Sequence, residues 1–141
     1  MKLQTRFIQV AFALVGMGLL VSSGVHAQNR QVRSWGYGLT GQIGDGNALN
    51  TSTPTMATGL SNVLQMAAGS DHSLALKTNG TVWAWGSNQY GQLGNGSGTP
   101  STTPIQVPGL TSVVQVAAGY YHSFAVKSDG TVWAWGYNGG G

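Results

Sequence analysis

The chain has 141 residues, of which 6% are charged and 41% hydrophobic, with 23 glycines, no cysteine and a formal net charge of +3. The lack of cysteine excludes disulfide scaffolds and thiolate chemistry, and an acidic stock of only Asp45, Asp71 and Asp129, with no glutamate, is poor for general acid and base catalysis. Low charge combined with five tryptophans is unlike disorder, so the composition reads as globular and all-β.

Met1 to Ala27 differs in kind from the rest of the chain. Lys2 and Arg6 make a positive start, Phe7 to Val21 an apolar run, and Val25-His26-Ala27 a small-residue cleavage pattern, which together spell a secretory signal peptide. The run is shorter than the roughly 20 residues that span a bilayer, so no membrane attachment is expected after cleavage. Removal leaves 28–141 with four basic residues against three aspartates. The pI of about 9.5 therefore gives no argument for a nucleic-acid partner.

The mature part is organised by a repeat. Ala67 to Gly86, AAGSDHSLALKTNGTVWAWG, returns at Ala117 to Gly136 as AAGYYHSFAVKSDGTVWAWG, and Trp35, Trp85 and Trp135 are spaced by 50 residues. A fixed period of this length means one supersecondary unit per repeat. Val32-Arg33-Ser34-Trp35-Gly36 matches Val82 to Gly86, so the chain enters the repeat at a late strand.

Within the unit, Asn79-Gly80 and Asp129-Gly130 sit between alternating apolar runs and predict two-residue hairpin turns. That turn sets Thr78 opposite Thr81, Leu76 opposite Trp83 and Leu74 opposite Trp85. His72, Leu74, Leu76, Trp83 and Trp85 then share a bulky face, and Ser73, Ala75, Lys77, Val82 and Ala84 a smaller one. Val63 to Ala68 and Val113 to Ala118 read as inner strands buried on both sides, and Pro54 to Thr58 and Pro104 to Val107 as weaker edge strands begun by proline. Sheets with a large face and a small face stack radially, as in the blades of a propeller.

The connections, Tyr37 to Gly59 and Ser87 to Gly109, each carry a Gly-Gln-aliphatic-Gly element, Gly41 to Gly44 and Gly91 to Gly94. The copies differ most in these loops and at Ser70-Asp71 against Tyr120-Tyr121, which makes Tyr120, Tyr121, Asp71, Asp45 and Asn95 the candidate contacts for a protein partner.

Catalytic and ligand-binding readings fare worse than structural ones. Asp71-His72-Ser73 has the residue types of a triad, but neighbours on a strand point to opposite faces, and a histidine bonded to blade backbone explains His72 better. His72 and His122 lack the cysteine or glutamate that would complete a metal site. Gly36 to Gly41 spells GxGxxG with no helix pattern after it, and Asp45-Gly46-Asn47 lacks the later carboxylate of a calcium loop. No cofactor, metal or catalytic residue is expected. The four paired tryptophans read as blade core, not as a stacking platform.

The motifs Ala-Ala-Gly-x-x-His-Ser-x-Ala-aliphatic-Lys, Asn/Asp-Gly-Thr-Val-Trp-Ala-Trp-Gly and Gly-Gln-aliphatic-Gly, over Val32 to Gly141, resemble the regulator of chromosome condensation repeat family. The resemblance implies four-stranded blades of a seven-bladed propeller, with His72, His122, Trp85, Trp135, Gly80 and Gly130 as structural repeat markers. It also implies a spread of activities, from guanine-nucleotide exchange on a small GTPase to secreted enzyme inhibition. The expectation is thus a signal-peptide helix over 1–27 followed by a truncated all-β propeller over 28–141. It would be a non-enzymatic binder, secreted or periplasmic, and either a fragment of a longer propeller or a protomer that assembles.

Overall fold

The computed structural model describes residues 7–12 and 30–140. They form β1 (Phe7–Phe12), β2 (Gln31–Gly36), β3 (Thr51–Met56), β4 (Val63–Ala68), β5 (His72–Lys77), β6 (Val82–Gly86), β7 (Ser101–Gln106), β8 (Val113–Ala118), β9 (His122–Lys127) and β10 (Val132–Gly136). The sheet orders are β1-β2-β3, β4-β5-β6-β7 and β10-β9-β8. The four-stranded sheet is an antiparallel meander, as expected of a propeller blade.

The leader helix expected over 1–27 is not what its described part shows. Phe7–Phe12 is β1, paired parallel with β2 from Phe7 opposite Gln31 to Phe12 opposite Gly36. A run rich in aromatic and β-branched residues suits a pleated sheet, and this side of β2 offers an edge to pair with. The rest of the leader lies outside the described residues.

The hairpin register is one residue away from the sequence expectation. Gly80 N donates to Lys77 O and Lys77 N to Thr81 O, enclosing a three-residue loop in which Gly80, at φ +76°, takes the left-handed position and Asn79 does not. This is the turn followed by a glycine bulge, the next commonest hairpin after the two-residue form. His72 therefore pairs with Gly86, Ser73 with Trp85, Leu74 with Ala84, Ala75 with Trp83 and Leu76 with Val82. The expected faces are exchanged along one strand: each tryptophan stands across from a small residue, not a leucine. The β9–β10 hairpin repeats this, with Trp133 opposite Ala125 and Trp135 opposite Ser123.

The corrected faces explain the stacking. Ala75, Trp83 and Trp85 pack with Val32, Ala57, Leu60, Val63 and Met66 toward the β1-β2-β3 sheet. Leu74, Leu76, Val82 and Ala84 pack with Val113, Val116 and Ala125 toward the β8-β9-β10 sheet. Both faces of the middle sheet are thus covered, which is why the motif alternates large and small without a polar face.

Two details of the inner and outer strands depart from expectation. In β4, Val63 and Met66 are buried on the β1-β2-β3 side and Ala67 is half-buried against the β8-β9-β10 side, while Leu64 is 40% exposed, so the strand is covered on both sides but less completely than its apolar run suggests. Its Gln65 does not merely interrupt an apolar run: Nε2 donates to Val116 O at 3.0 Å and Oε1 accepts from Val116 N at 3.1 Å, so one side chain binds the neighbouring sheet as a strand would. The outer strands begin three residues before Pro54 and Pro104, and the β2–β3 and β6–β7 registers slip opposite them. A residue without an N–H is accommodated at an edge where the ladder is already broken.

Substitutions in the hairpin loop distinguish the two turn types. Gly80→Ala forces an L side chain into the left-handed region and is expected to cost about 1–2 kcal/mol; Asn79→Ala loses only its bonds to Thr81 N and Oγ1, about 1 kcal/mol. Equal, large losses at both positions in urea unfolding would instead indicate the two-residue turn. Ser34 occupies the place of Ala84 and Ala134 in the later repeats, fully buried, and its Oγ has no hydrogen-bond partner among the described residues. Ser34→Ala is expected to raise the unfolding free energy by about 1 kcal/mol.

Candidate functional site

The two ends of the strands form two rims of different chemistry. One carries the β5–β6 and β9–β10 hairpins. The other carries the connections after β2, β6 and β10 and the tight turns at Ser70-Asp71 and Tyr120-Tyr121, each closed by a bond from Gly69 N to His72 O or from Gly119 N to His122 O.

The loop rim is held to the blades by a repeated set of bonds. Gln42 O, in the Gly-Gln-aliphatic-Gly loop before β3, accepts from Ser73 Oγ at 2.9 Å and from Trp85 Nε1 at 2.8 Å in the next sheet. Gln92 O accepts from Ser123 Oγ at 2.7 Å and Trp135 Nε1 at 2.9 Å. Ser73 and Trp85 meet one carbonyl because they are cross-strand partners. The closing glycine of the loop lets the indole approach: a Cβ on Gly44 would lie 2.6 Å from Trp85 Nε1, and one on Gly94 2.7 Å from Trp135 Nε1. Trp85 and Trp135 are thus repeat markers with a defined task, joining one repeat to the loop of the preceding one.

His72 belongs to the same framework and not to a triad. It is fully buried, and its Nε2 lies 2.9 Å from Ser123 Oγ in the neighbouring sheet. Since Ser123 donates its proton to Gln92 O, His72 Nε2 carries the hydrogen and donates to Ser123. Its side-chain partner is therefore a hydroxyl, with the His122 backbone also acting on the ring, while Nδ1 has no partner among the described residues. Ser73 points the other way, to Gln42 O. Burial pushes the His72 pKa down from 6.5 to about 4, against the opposing influence of the Asp71 carboxylate and the His122 backbone.

On the outside of this framework lies an aromatic cluster. The Tyr120 and Tyr121 ring centroids are 4.5 Å apart and perpendicular, Tyr90 and Tyr121 are 4.7 Å apart, and Tyr90 and Tyr137 are 4.9 Å apart edge to face. Tyr120 is 67% exposed, while Tyr121 is half-buried. The Tyr121 hydroxyl is held above its ordinary pKa by desolvation first, then by Tyr120, Tyr90 and Asp71. Asp71 is adjacent: Ser70 N donates to Tyr120 O at 3.2 Å, and the Asp71 carboxylate accepts from Ser70 Oγ at 2.8 Å and Gln42 Nε2 at 3.5 Å.

The structure thus brings Tyr120, Tyr121 and Asp71 together, while the other two expected contacts are engaged within their own loops. Asp45 accepts from Asn47 N at 2.9 Å in its own turn. Asn95 receives Asn88 Nδ2, Ser97 N and Ser97 Oγ on a single oxygen, so it fixes its loop. The hub of that loop is Asn88, fully buried, which reaches Ser97 O and Thr99 O and accepts from Leu93 N. Sequence reading missed Asn88, Tyr90 and Tyr137. An exposed tyrosine in a turn-rich loop carries no signal of its own, and only the fold sets Tyr90 beside a turn thirty residues later.

The His72 environment sets a pH dependence. Its folded pKa lies below the unfolded value of 6.5, so the unfolded chain binds the proton more readily. The contribution is complete above pH 6.5 and is lost as pH falls toward 4, about 3 kcal/mol in all. Urea unfolding of the wild type and His72→Gln across this range is expected to show that slope only in the wild type.

The family model for the regulator of chromosome condensation (RCC1) repeat matches residues 31–76 and 79–126, and a second model of the same repeat matches 63–92 and 113–141. The first matched unit, 31–76, takes in β2 to β5, so the sequence repeat straddles two sheets. Human WBSCR16 is similar in structure at TM-score 0.69 and 33% identity over 76% of this chain and 28% of that one. Prp20p from Saccharomyces cerevisiae, described with its binding to Gsp1p and histones, aligns at TM-score 0.64 and 30% identity over 72% of this chain and 27% of its own. Yeast RCC1 (Prp20) bound to Kap60 aligns at TM-score 0.61 and 32% identity, over 72% and 24%. The chain spans about a quarter of each of these relatives. With two matched repeats, a shared strand meander and the loop carbonyl joined to the next repeat, the chain belongs to the regulator of chromosome condensation repeat family.

Proposed function

We propose that this chain is an exported, non-enzymatic repeat module that binds another protein through its loop rim. The observation that carries the reading is the tyrosine cluster. Tyr90, Tyr120 and Tyr137 keep 41%, 67% and 45% of their surface exposed while touching one another or Tyr121, on a rim whose side-chain framework bonds are made by other residues. Rigid tyrosines offer a large contact area for little conformational entropy, which suits them to partner surfaces.

The relatives support a protein as the ligand: Prp20p is described with Gsp1p and histones, and with Kap60. Likeness to Prp20p also supports a second reading, regulation of a small GTPase by nucleotide exchange. Export rests on the leader, with Lys2 and Arg6 ahead of the apolar run and Val25-His26-Ala27 behind it. The non-enzymatic reading rests on an acidic stock of three aspartates, of which Asp45 and Asp129 are engaged in turns with Asn47 and Thr131.

A photo-crosslinking residue placed at Tyr120, in cells of the source organism, is expected to trap a protein in the exported fraction, with the mature chain beginning at Gln28 by mass spectrometry. The same residue at Thr131 on the hairpin rim should trap much less. Equal trapping at both positions would remove the loop rim from consideration. Accelerated nucleotide release from a GTPase of the same cells would favour the second reading.

A further inference from the structure

We propose that the loop rim takes an arginine-bearing segment of its partner, the guanidinium lying on the exposed tyrosine faces and bonding to the Asp71 carboxylate; this rests on the reading of that rim as a protein-binding surface. The first ground is how charge is divided between the rims. Lys77 and Lys127 end β5 and β9 at the hairpins, with Nζ 5.1 Å and 5.8 Å from the centres of the Trp83 and Trp133 rings. Arg30 stands level with Gly80: Val63 N donates to Arg30 O as Val113 N does to Gly80 O. Arg33 is level with Trp83 in the middle of its strand, where Nη1 donates to Pro54 O at 3.3 Å. Among the described residues Arg30, Lys77 and Lys127 therefore sit toward the hairpin rim and Arg33 in mid-sheet, and the loop rim holds Asp71 and Asp45 with no lysine or arginine.

The second ground is local. The Asp71 carboxylate meets neutral donors, Ser70 Oγ and Gln42 Nε2, the latter at a long 3.5 Å, so its charge is not balanced by them. Tyrosine faces carry negative quadrupole density and add to the same field.

The third ground is shape. Rings 4.5–4.9 Å apart pack on each other and leave no room for a cation between them, so a cage for a compact ammonium is not formed. A cation must lie on the cluster. The planar, weakly hydrated guanidinium stacks on aromatic faces and can bond a carboxylate with two N–H groups, whereas the ammonium of lysine does neither as well.

The test uses the full chain and a short synthetic peptide alternating arginine and glycine, with two controls: the same peptide with citrulline for arginine, and an uncharged peptide rich in proline. Binding is followed through the tyrosine ring resonances. The arginine peptide is expected to saturate and to shift Tyr120 and Tyr90. Citrulline is expected to weaken binding by about tenfold, Asp71→Asn by about tenfold and Tyr120→Ala by severalfold. The Lys77→Ala, Lys127→Ala pair on the other rim should leave it unchanged. Equal binding of the citrulline peptide, or of the arginine peptide to Asp71→Asn, overturns the inference. If only the proline-rich peptide shifts the tyrosines, or the Tyr120 crosslink still traps a partner that binds without its arginines, the protein-binding rim stands and the arginine requirement falls. If neither peptide nor crosslink engages the rim, both fall.

Discussion

Everything in this fold depends on a peptide carbonyl that serves two donors from the next repeat. Gln42 O receives Ser73 Oγ and Trp85 Nε1, and Gln92 O receives Ser123 Oγ and Trp135 Nε1. A carbonyl has two lone pairs, and leaving either of these buried donors unmatched would cost roughly 1–3 kcal/mol. The double bond set therefore fixes the distance and the angle between repeats, where apolar contact alone would leave sheets free to slide. It also couples three motifs far apart in the sequence. The loop must present its carbonyl, the serine and tryptophan must be cross-strand partners, and the glycine after the aliphatic residue must have no Cβ where the indole lies.

His72 and Gln65 add bonds of the same kind at other depths of the sheet stack. His72 ties β5 to Ser123, the serine that itself serves Gln92 O, so the histidine reaches the carbonyl through a hydroxyl relay. Gln65 pairs with the backbone of Val116 on the inner strand. Polar residues at buried positions give the stacked sheets a unique register, which close-packed aliphatic faces would specify less sharply.

Much of this was legible in the sequence, and what was lost has specific causes. The period of 50 residues, the strands, the edge position of the proline segments and the structural character of Trp85 and Trp135 follow from pattern and composition. The pairing of Leu74 with Trp85 failed because Asn-Gly serves two hairpins: in the shorter both residues take positive φ, in the longer only the glycine does. Choosing between them needs the backbone of Asn79, and a register error of one residue then moves every side chain to the other face. Tyr120, Tyr121 and Asp71 were recognisable as places where the copies differ. That Tyr90 and Tyr137 join them was not, because adjacency across repeats is a property of the stack.

The same stack explains why the loop rim can carry binding chemistry. The short framework bonds from the loops use main-chain carbonyls and fixed glycines, so the side chains at the tips of the turns between β4 and β5 and between β8 and β9 carry little of the framework, Asp71 taking only a long bond from Gln42 Nε2. In one repeat that turn holds Ser70-Asp71, in the next Tyr120-Tyr121, with the backbone bond from glycine to histidine unchanged. The hairpin rim has less freedom, because Asn79 and Asp129 accept from Thr81 and Thr131 in turns already closed by backbone bonds, and the Thr131 bonds hold the Asp129 carboxyl below its usual pKa. A repeat built this way can change what one rim recognises without altering the contacts that hold neighbouring repeats together, and the tyrosine cluster beside an acidic turn is the result of two such changes set side by side.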